Sequence, residues 1–408
     1  YDVVATNPPY MGSSGMNAKL SEYVKANYKD SKSDLFAVFI EKCARMLKSD
    51  GLQAMITQHA WMFLSSFEKL REKIQRKTIV NMAHLGPRAF EEIGGEVVQV
   101  TSWVQIKDKI KDYTGAYERL VDYNTQDGKE EAFIAGKDVC YAKQANFGKI
   151  PGAPIAYWVS DTFCRNYNEK KIADYAEVIT GMTIGNNKKY LRLWFELPFS
   201  RLSIGKSNME EVDMKNSYWI PYSKGGARRN WYGNYDYVVN WNGHDKFNRS
   251  KTTLQRLYLR EAITWPFITS GTFSARILPN GFLWDVAGSP CFFSDNIIEM
   301  YTLAFMCSKV ADYILKVVNP TINVQAIDIA KLPLKESDDQ KRAVVALAQK
   351  CVSISRMDWD SIETSWDFKH NPLIHTNDML AEAYHLWETV CNDRFNKLKS
   401  TEEEINRI

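Results

Sequence analysis

The chain has no Cys-x-x-Cys pair; its seven cysteines are scattered singly from Cys43 to Cys391. That argues against a disulfide framework or a thiolate zinc site and fits a reducing, cytoplasmic setting. The six histidines show no metal-ligand spacing, so no metal is expected. No apolar run reaches the roughly 18 residues of a spanning helix, and no membrane association is expected. Internal repeats and low-complexity tracts are missing too. The start, Tyr1-Asp2-Val3-Val4-Ala5, has neither an initiator Met nor the layout of a signal peptide. It reads like the middle of a strand, so the expectation is a C-terminal piece of a longer protein.

What is present is an ordinary globular composition, 45% hydrophobic and 25% charged over 408 residues, which argues against disorder and leaves room for two or three domains. The net charge of +3 is unevenly spread. Between Gly181 and Asn280, 15 Lys/Arg stand against 7 Asp/Glu, a surplus of +8. From Glu336 to Ile408 the count is 9 against 14, or −5. The basic stretch is also crowded with Trp, Tyr and Phe. That combination suits a polyanion met by rings and cations; a solvated surface around an aromatic core is the alternative.

Residues 1–123 alternate as an α/β unit. A strand over Asp2–Thr6 is followed by a polar Gly/Ser-rich loop, a helix over Asp34–Leu47 closing on Lys48-Ser49-Asp50-Gly51, a strand over Leu52–Thr57 and a helix over Ser65–Arg76. A strand over Val80–Leu85 comes next, then a β-rich run, Val97–Ile106, that suits an antiparallel edge. The expected fold is α/β, the later part of a doubly wound parallel sheet. From 124 to 334 short strands and turn pairs (Gly185-Asn186, Gly225-Gly226, Asn280-Gly281) suggest a mixed α+β domain, and 335–408 a helical tail.

The strongest local signal is Asn7-Pro8-Pro9-Tyr10 directly after the first strand. An Asn side-chain oxygen beside a proline carbonyl presents two acceptors that suit the two hydrogens of an exocyclic amino group. The prolines fix φ and preorganise the pair. Tyr10 suits stacking on a planar base. A strand-ending turn is the plainer alternative.

Together with Asp34-Leu35-Phe36-Ala37-Val38-Phe39, Leu47–Gly51 and Met55-Ile56-Thr57, this motif resembles the amino-methylating DNA methyltransferases. Further segments follow in order: Ile179–Asn187, Lys224–Asn234, Val238–Trp241, Ile263–Trp265, Ser270–Arg276, Asp285–Ser289 and Asn319–Gln325. With these, residues 1–335 resemble the adenine methyltransferases of BREX phage defence, the PglX type, which are related to single-chain type II restriction-modification enzymes. The resemblance implies the C-terminal half of a Rossmann-like class I methyltransferase sheet, then a target-recognition domain. It implies S-adenosylmethionine as cofactor, duplex DNA as partner and other phage-defence proteins nearby. Asn7, Pro8, Pro9 and Tyr10 would be the catalytic loop. Asn7 and Phe39 would lie against the cofactor, and Tyr10 and Phe90 would sandwich a flipped adenine. Phe90 stands just before Gly94-Gly95-Glu96-Val97-Val98.

Apart from any family, Lys224, Arg228 and Arg229 beside Gly225-Gly226 bring cations and backbone N–H groups together, which suits phosphate. Lys188 adds a cation in the same basic stretch. Trp231 suits packing on a sugar or anchoring the loop, and Arg276 a guanine edge. No Gly-x-Gly loop following a strand precedes Asn7, where the family places its main cofactor loop, so these 408 residues alone are expected to bind cofactor poorly. A DNA-binding module with an idle catalytic loop and an RNA adenine methyltransferase remain alternatives.

Overall fold

The computed structural model describes all residues except 91–97, 168–169, 270, 320 and 375–378. The chain divides into two compact units, Tyr1–Asn168 with Val317–Pro320, and Glu169–Lys316 with Thr321–Ile408. The expected boundary at 123/124 therefore falls inside the first unit.

The first unit is built on a six-stranded sheet in the order β1-β2-β4-β3-β5-β6. Its strands are β1 (Val3–Thr6), β2 (Leu52–Gln58), β3 (Thr78–Gly86), β4 (Val100–Ile106), β5 (Thr114–Arg119) and β6 (Val139–Lys143). Strand β1 runs parallel to β2 and β3 parallel to β5, while β4 and β6 run antiparallel to their neighbours. The sheet is thus mixed rather than parallel. The run expected as an antiparallel edge is antiparallel but central, paired with β2 on one side and β3 on the other. Its start at Val97 lies outside the described residues. The physical reason for the central place is burial: Val100, Thr101, Trp103 and Gln105 are all inside. Strand β6, past the expected boundary, adds to the same sheet because it pairs with β5 from Thr114 to Glu118.

Helices α1 (Ala18–Asn27) and α2 (Leu35–Met46) lie between β1 and β2, with α3 (Glu68–Gln75) between β2 and β3 and α4 (Gln126–Ile134) and α5 (Asp161–Asn166) further on. Asp34 caps α2, and Phe36, Ala37, Ile40, Cys43 and Ala44 fall on its buried face. Polar side chains inside are matched. Thr57 Oγ1 accepts from the indoles of Trp61 and Trp103 at 3.0 and 3.2 Å. The buried Arg71 guanidinium donates to the carbonyls of Trp61, Leu64 and Gly152.

The second unit holds β7 (Ala176–Val178), α6 (Asn187–Tyr190), β8 (Leu191–Leu193), β9 (Trp219–Ser223), β10 (Tyr237–Asn240), β11 (Ala262–Thr264), β12 (Arg276–Leu278), β13 (Leu283–Trp284) and β14 (Pro290–Phe293). They form two four-stranded sheets, β13-β9-β10-β8 and β12-β11-β14-β7. Helices α7 (Asn296–Met306), α8 (Lys309–Val318), α9 (Ala326–Ala330), α10 (Asp338–Trp359) and α11 (Leu380–Ile405) follow. The tail expected as a separate helical segment belongs to this unit: Trp359 of α10 enters its core with Tyr232, Tyr235 and Phe282. Burial of that indole, 6% exposed, ties the acidic helices to the basic loop region.

Candidate active site

Asn7 follows β1 immediately, at the carboxyl end of the strand. Its side chain is exposed, Pro8 is buried, Pro9 is exposed and Tyr10 is half-buried. Just beyond, the loop is tied to the start of α2. Asp34 Oδ1 accepts from the amides of Met11 (3.1 Å) and Phe36 (3.3 Å), Leu35 N–H donates to the Met11 carbonyl at 2.9 Å, and Ser13 N–H to the Ser33 carbonyl at 3.0 Å. One carboxylate thus caps a helix and holds the chain that leaves Tyr10. Burial holds this carboxyl above its ordinary value. The Tyr10 ring meets Phe36 edge-on, centroids 6.1 Å apart. Its hydroxyl is buried without a partner among the described residues, and burial pushes its pKa up to about 12.

Phe39, half-buried on α2, packs on the core cluster around Phe36 and Ile40. Phe90 is half-buried in the connection from β3 to β4. The expected Gly94-Gly95-Glu96-Val97 turn lies outside the described residues.

Nothing in the spacing of the histidines connects them, yet two of them meet at this edge of the sheet. His59 opens the turn after β2, and His84 sits near the end of β3. His59 Nδ1 lies 2.9 Å from His84 Nε2, and His84 Nδ1 lies 3.1 Å from the Tyr157 hydroxyl. Both rings are buried, 6% and 4% exposed. Phe63 and Trp158 pack around them. Burial pushes His59 down to about 4, and His84 well down, first by burial and then by His59, so both are neutral at pH 7. A partial signal was available: each follows or ends an apolar strand. The pairing itself depends on β4 lying between them.

In the second unit the expected DNA-facing residues separate. Lys188 on α6 and Arg228 are exposed. Lys224 is engaged, its ammonium 2.7 Å from the buried Asp285, which also accepts from the Tyr222 hydroxyl at 3.0 Å. Gly225 lies against the Ala287 carbonyl, where a Cβ would sit 2.1 Å from the oxygen, so the glycine serves a close backbone approach and its loop is packed. Arg229 lies over the Trp359 ring at 5.0 Å and 3.8 Å from Asp358. Two of the expected DNA-facing side chains are interior. Arg276 is 1% exposed and donates to the Gly225 carbonyl. Trp231 is also 1% exposed and donates to Glu402 Oε1 at 2.7 Å, which fits the anchoring one of its two open roles. Both side chains lie at the Trp231–Arg276 bridge, in the interior where the basic loop meets β12. Arg228, Arg229 and Trp231 face Asp358, Arg394 and Glu402 across a cavity of about 360 Å³.

No group of three or more potential metal ligands occurs among the described residues. No helix among them is long and apolar enough to cross a membrane.

Comparison with known proteins bears on this arrangement. The family described as the Eco57I restriction-modification methylase matches residues 1–90. The adenine-specific methyltransferase PglX of Lacticaseibacillus casei (strain Zhang) is 43% identical over all of this chain and 36% of its own length. The adenine-specific methyltransferase BrxX of Escherichia coli O9:H4 (strain HS) is 37% identical, over all of this chain and 33% of its own. The chain is similar, from end to end, to part of the PglX and BrxX methyltransferases. It spans about a third of their length. In fold it is similar to the type IIL restriction-modification enzyme MmeI solved with DNA, with a TM-score of 0.57 at 11% identity, covering 100% of this chain and 57% of that one. The DrdV–DNA complex gives 0.53 at 11% identity, covering 86% and 44%. These likenesses run through both units and agree with a mixed α/β architecture.

Proposed function

We propose that this chain carries the amino-group acceptors and target-recognition parts of an S-adenosylmethionine-dependent DNA methyltransferase. The enzyme would modify N6 of adenine within a phage-defence or restriction-modification system. The observation that carries the reading is the Asn7-Pro8-Pro9-Tyr10 loop, exposed at Asn7, at the carboxyl end of a sheet strand in a chain 43% identical to PglX.

N6 of adenine is out of reach in a stacked duplex, so the base flips out, at a cost of a few kcal/mol. Asn7 Oδ1 and the Pro8 carbonyl accept the two amino hydrogens and aim the nitrogen lone pair, while Tyr10 and Phe90 hold the ring. The cofactor, when bound, supplies an electrophilic methyl group. The residues present fit its reacting end: a free, exposed Asn7 amide and the half-buried face of Phe39. The rest of its pocket belongs to the remainder of the longer proteins, so this stretch alone is inactive. Positioning and preorganised acceptors provide the acceleration. In the second unit Lys188 and Arg228 contact phosphates, and Arg229 borders the same surface. Other phage-defence proteins are its partners in the cell.

The test uses the full-length polypeptide containing this chain, with and without Asn7→Ala. Labelled cofactor and mixed-sequence duplex DNA are incubated with each, and the DNA is digested to nucleosides. N6-methyladenine that disappears with Asn7→Ala supports the reading. Tight DNA binding without label would favour a recognition module with an idle loop, and label on RNA in preference to DNA an RNA enzyme.

A further inference from the structure

The cavity of about 360 Å³ between the basic loop and the last two helices has no part in that account beyond the cations at its rim. All of its lining belongs to the second unit. Its walls are pinned from three sides. The Trp231 indole donates to Glu402 Oε1 of α11 at 2.7 Å, and Trp231 itself is held at a φ of 69°, a left-handed conformation that a bulky residue adopts only when its surroundings force it. The Arg229 guanidinium lies over the Trp359 ring of α10 at 5.0 Å. Asn406 Oδ1, just past α11, accepts from the Lys309 N–H of α8 at 2.8 Å. A volume of this size lies at the lower end for small-molecule sites, which suits one ligand the size of a nucleotide.

The lining offers two kinds of surface. One is cationic. Arg228 is exposed and has no hydrogen-bond or ion-pair partner among the described residues. Arg394 uses Nη1 on the Met357 carbonyl at 3.3 Å and on Ser361 Oγ at 3.5 Å, and its guanidinium lies over the Trp387 ring at 5.1 Å. Its Nε and Nη2 donors make no bond among the described residues. The other surface is apolar: Ile354, Leu398 and Phe395, with Phe395 65% exposed between Arg394 and Asn396. The stretch Arg394-Phe395-Asn396-Lys397-Leu398-Lys399 holds three cations and no acid, within a tail that is acidic as a whole. An inorganic anion would cover the guanidiniums and leave the ring in water, and an apolar ligand would do the reverse. A nucleotide carries both parts, a phosphate that arginine meets with paired N–H donors and a flat base that stacks on an aromatic ring.

We propose that this cavity is a nucleotide site, in which Arg228 and Arg394 hold the phosphate and the base stacks on Phe395. The nucleotide is either free in solution or one unpaired residue of the bound DNA, since a base within the duplex stack has both faces covered. The site goes beyond the methyltransferase reading and does not depend on it: Asn7 belongs to the first unit, and no group is transferred here.

The experiment is calorimetric titration of the full-length polypeptide, with S-adenosylhomocysteine in excess so that a cofactor pocket is closed to the probe. The probe is dCMP, with deoxycytidine and inorganic phosphate as its two halves. One saturable dCMP site per chain is expected, with each half bound at least about tenfold more weakly than dCMP. Phe395→Ala should weaken dCMP about tenfold, the size of one lost base–ring stack, and leave inorganic phosphate within about twofold. Phe395→Trp should restore dCMP binding, and Arg394→Gln should weaken dCMP and phosphate alike. Because Phe395 is exposed, denaturant unfolding of Phe395→Ala should match the wild type. Mixed-sequence duplex DNA identifies the source. A nucleotide drawn from the DNA shows as competition between duplex and dCMP, with duplex binding about tenfold weaker in Phe395→Ala. A free nucleotide shows as simultaneous binding, with duplex affinity unchanged by the substitution. Phe395→Ala that alters neither dCMP nor duplex binding overturns the site, as does dCMP held no more tightly than inorganic phosphate. N6-methyladenine that still depends on Asn7 would then leave the methyltransferase reading standing.

Discussion

Asp34 is the side chain whose removal tests how the loop after Asn7-Pro8-Pro9-Tyr10 is anchored. Its Oδ1 accepts from Met11 N–H at 3.1 Å and from Phe36 N–H at 3.3 Å. Asp34→Ala removes both bonds. A helix cap and a loop bond of this kind contribute about 1 kcal/mol each, so local opening of residues 7–16 should become easier by about 2 kcal/mol. That is about thirtyfold faster amide exchange for the peptide containing Met11, measured by hydrogen–deuterium exchange on the full-length polypeptide. Asp34→Asn makes the comparison sharp. The carboxyl is held above its ordinary value by burial, so the folded state disfavours the charge while using the oxygen. An amide oxygen in the same place should keep exchange within about threefold of wild type, because the acceptor survives. Unchanged exchange in Asp34→Ala would refute the anchoring argument. Equal acceleration in Asn and Ala would show instead that the charge does the holding.

Lys224 and Arg228, four residues apart, should behave oppositely. Lys224→Met strands the buried Asp285 carboxylate and should cost about 3 kcal/mol of stability, read by denaturant unfolding. Arg228→Ala should leave unfolding unchanged but lower DNA affinity and reduce the slope of log K against log salt by about 1; an unchanged slope removes Arg228 from the DNA contact. Glu299, buried on α7, has its carboxyl pushed up to about 8, first by burial and then by Glu261. The native state therefore keeps a proton that the unfolded chain releases near its ordinary carboxylate value. This group's relative stabilisation is present at low pH and is lost as pH rises through about 8. Scanning calorimetry between pH 5 and 9 should show the wild-type transition falling more steeply than that of Glu299→Gln, and parallel profiles would refute it.

Much of the first unit was readable along the chain because its signals are local. Asp34 before an apolar three-and-four spacing marks a capped helix, and Leu35–Met46 is that helix. Alternation over Leu52–Gln58 marks a strand with one buried face, and Asn7-Pro8-Pro9-Tyr10 marks a stiff strand exit. The membership of Val100–Ile106 in the middle of the sheet was not readable, since strand order depends on partners far apart in sequence. Nor was the reach of the first unit past residue 123, which rests on β6 joining β5.

The candidate site divides in the same way. Composition alone marked a basic, aromatic middle and an acidic tail, and residue type alone nominated Trp231 and Arg276 as DNA contacts. A cation or an indole reads the same in a sequence whether it faces solvent or the core. Only packing showed Arg276 bonded to the Gly225 carbonyl and Trp231 held by Glu402 of the acidic tail. The His59–His84–Tyr157 chain is the clearest case. Its members are separated by 25 and 73 residues, and no local rule relates them. By itself the sequence determined the stiff Asn7-Pro8-Pro9-Tyr10 exit from the first strand, because fixed proline φ angles after a strand are a property of the local backbone. The tertiary structure decided which cations stay free and which rings share a proton chain, because burial and contact belong to elements brought together from across the chain.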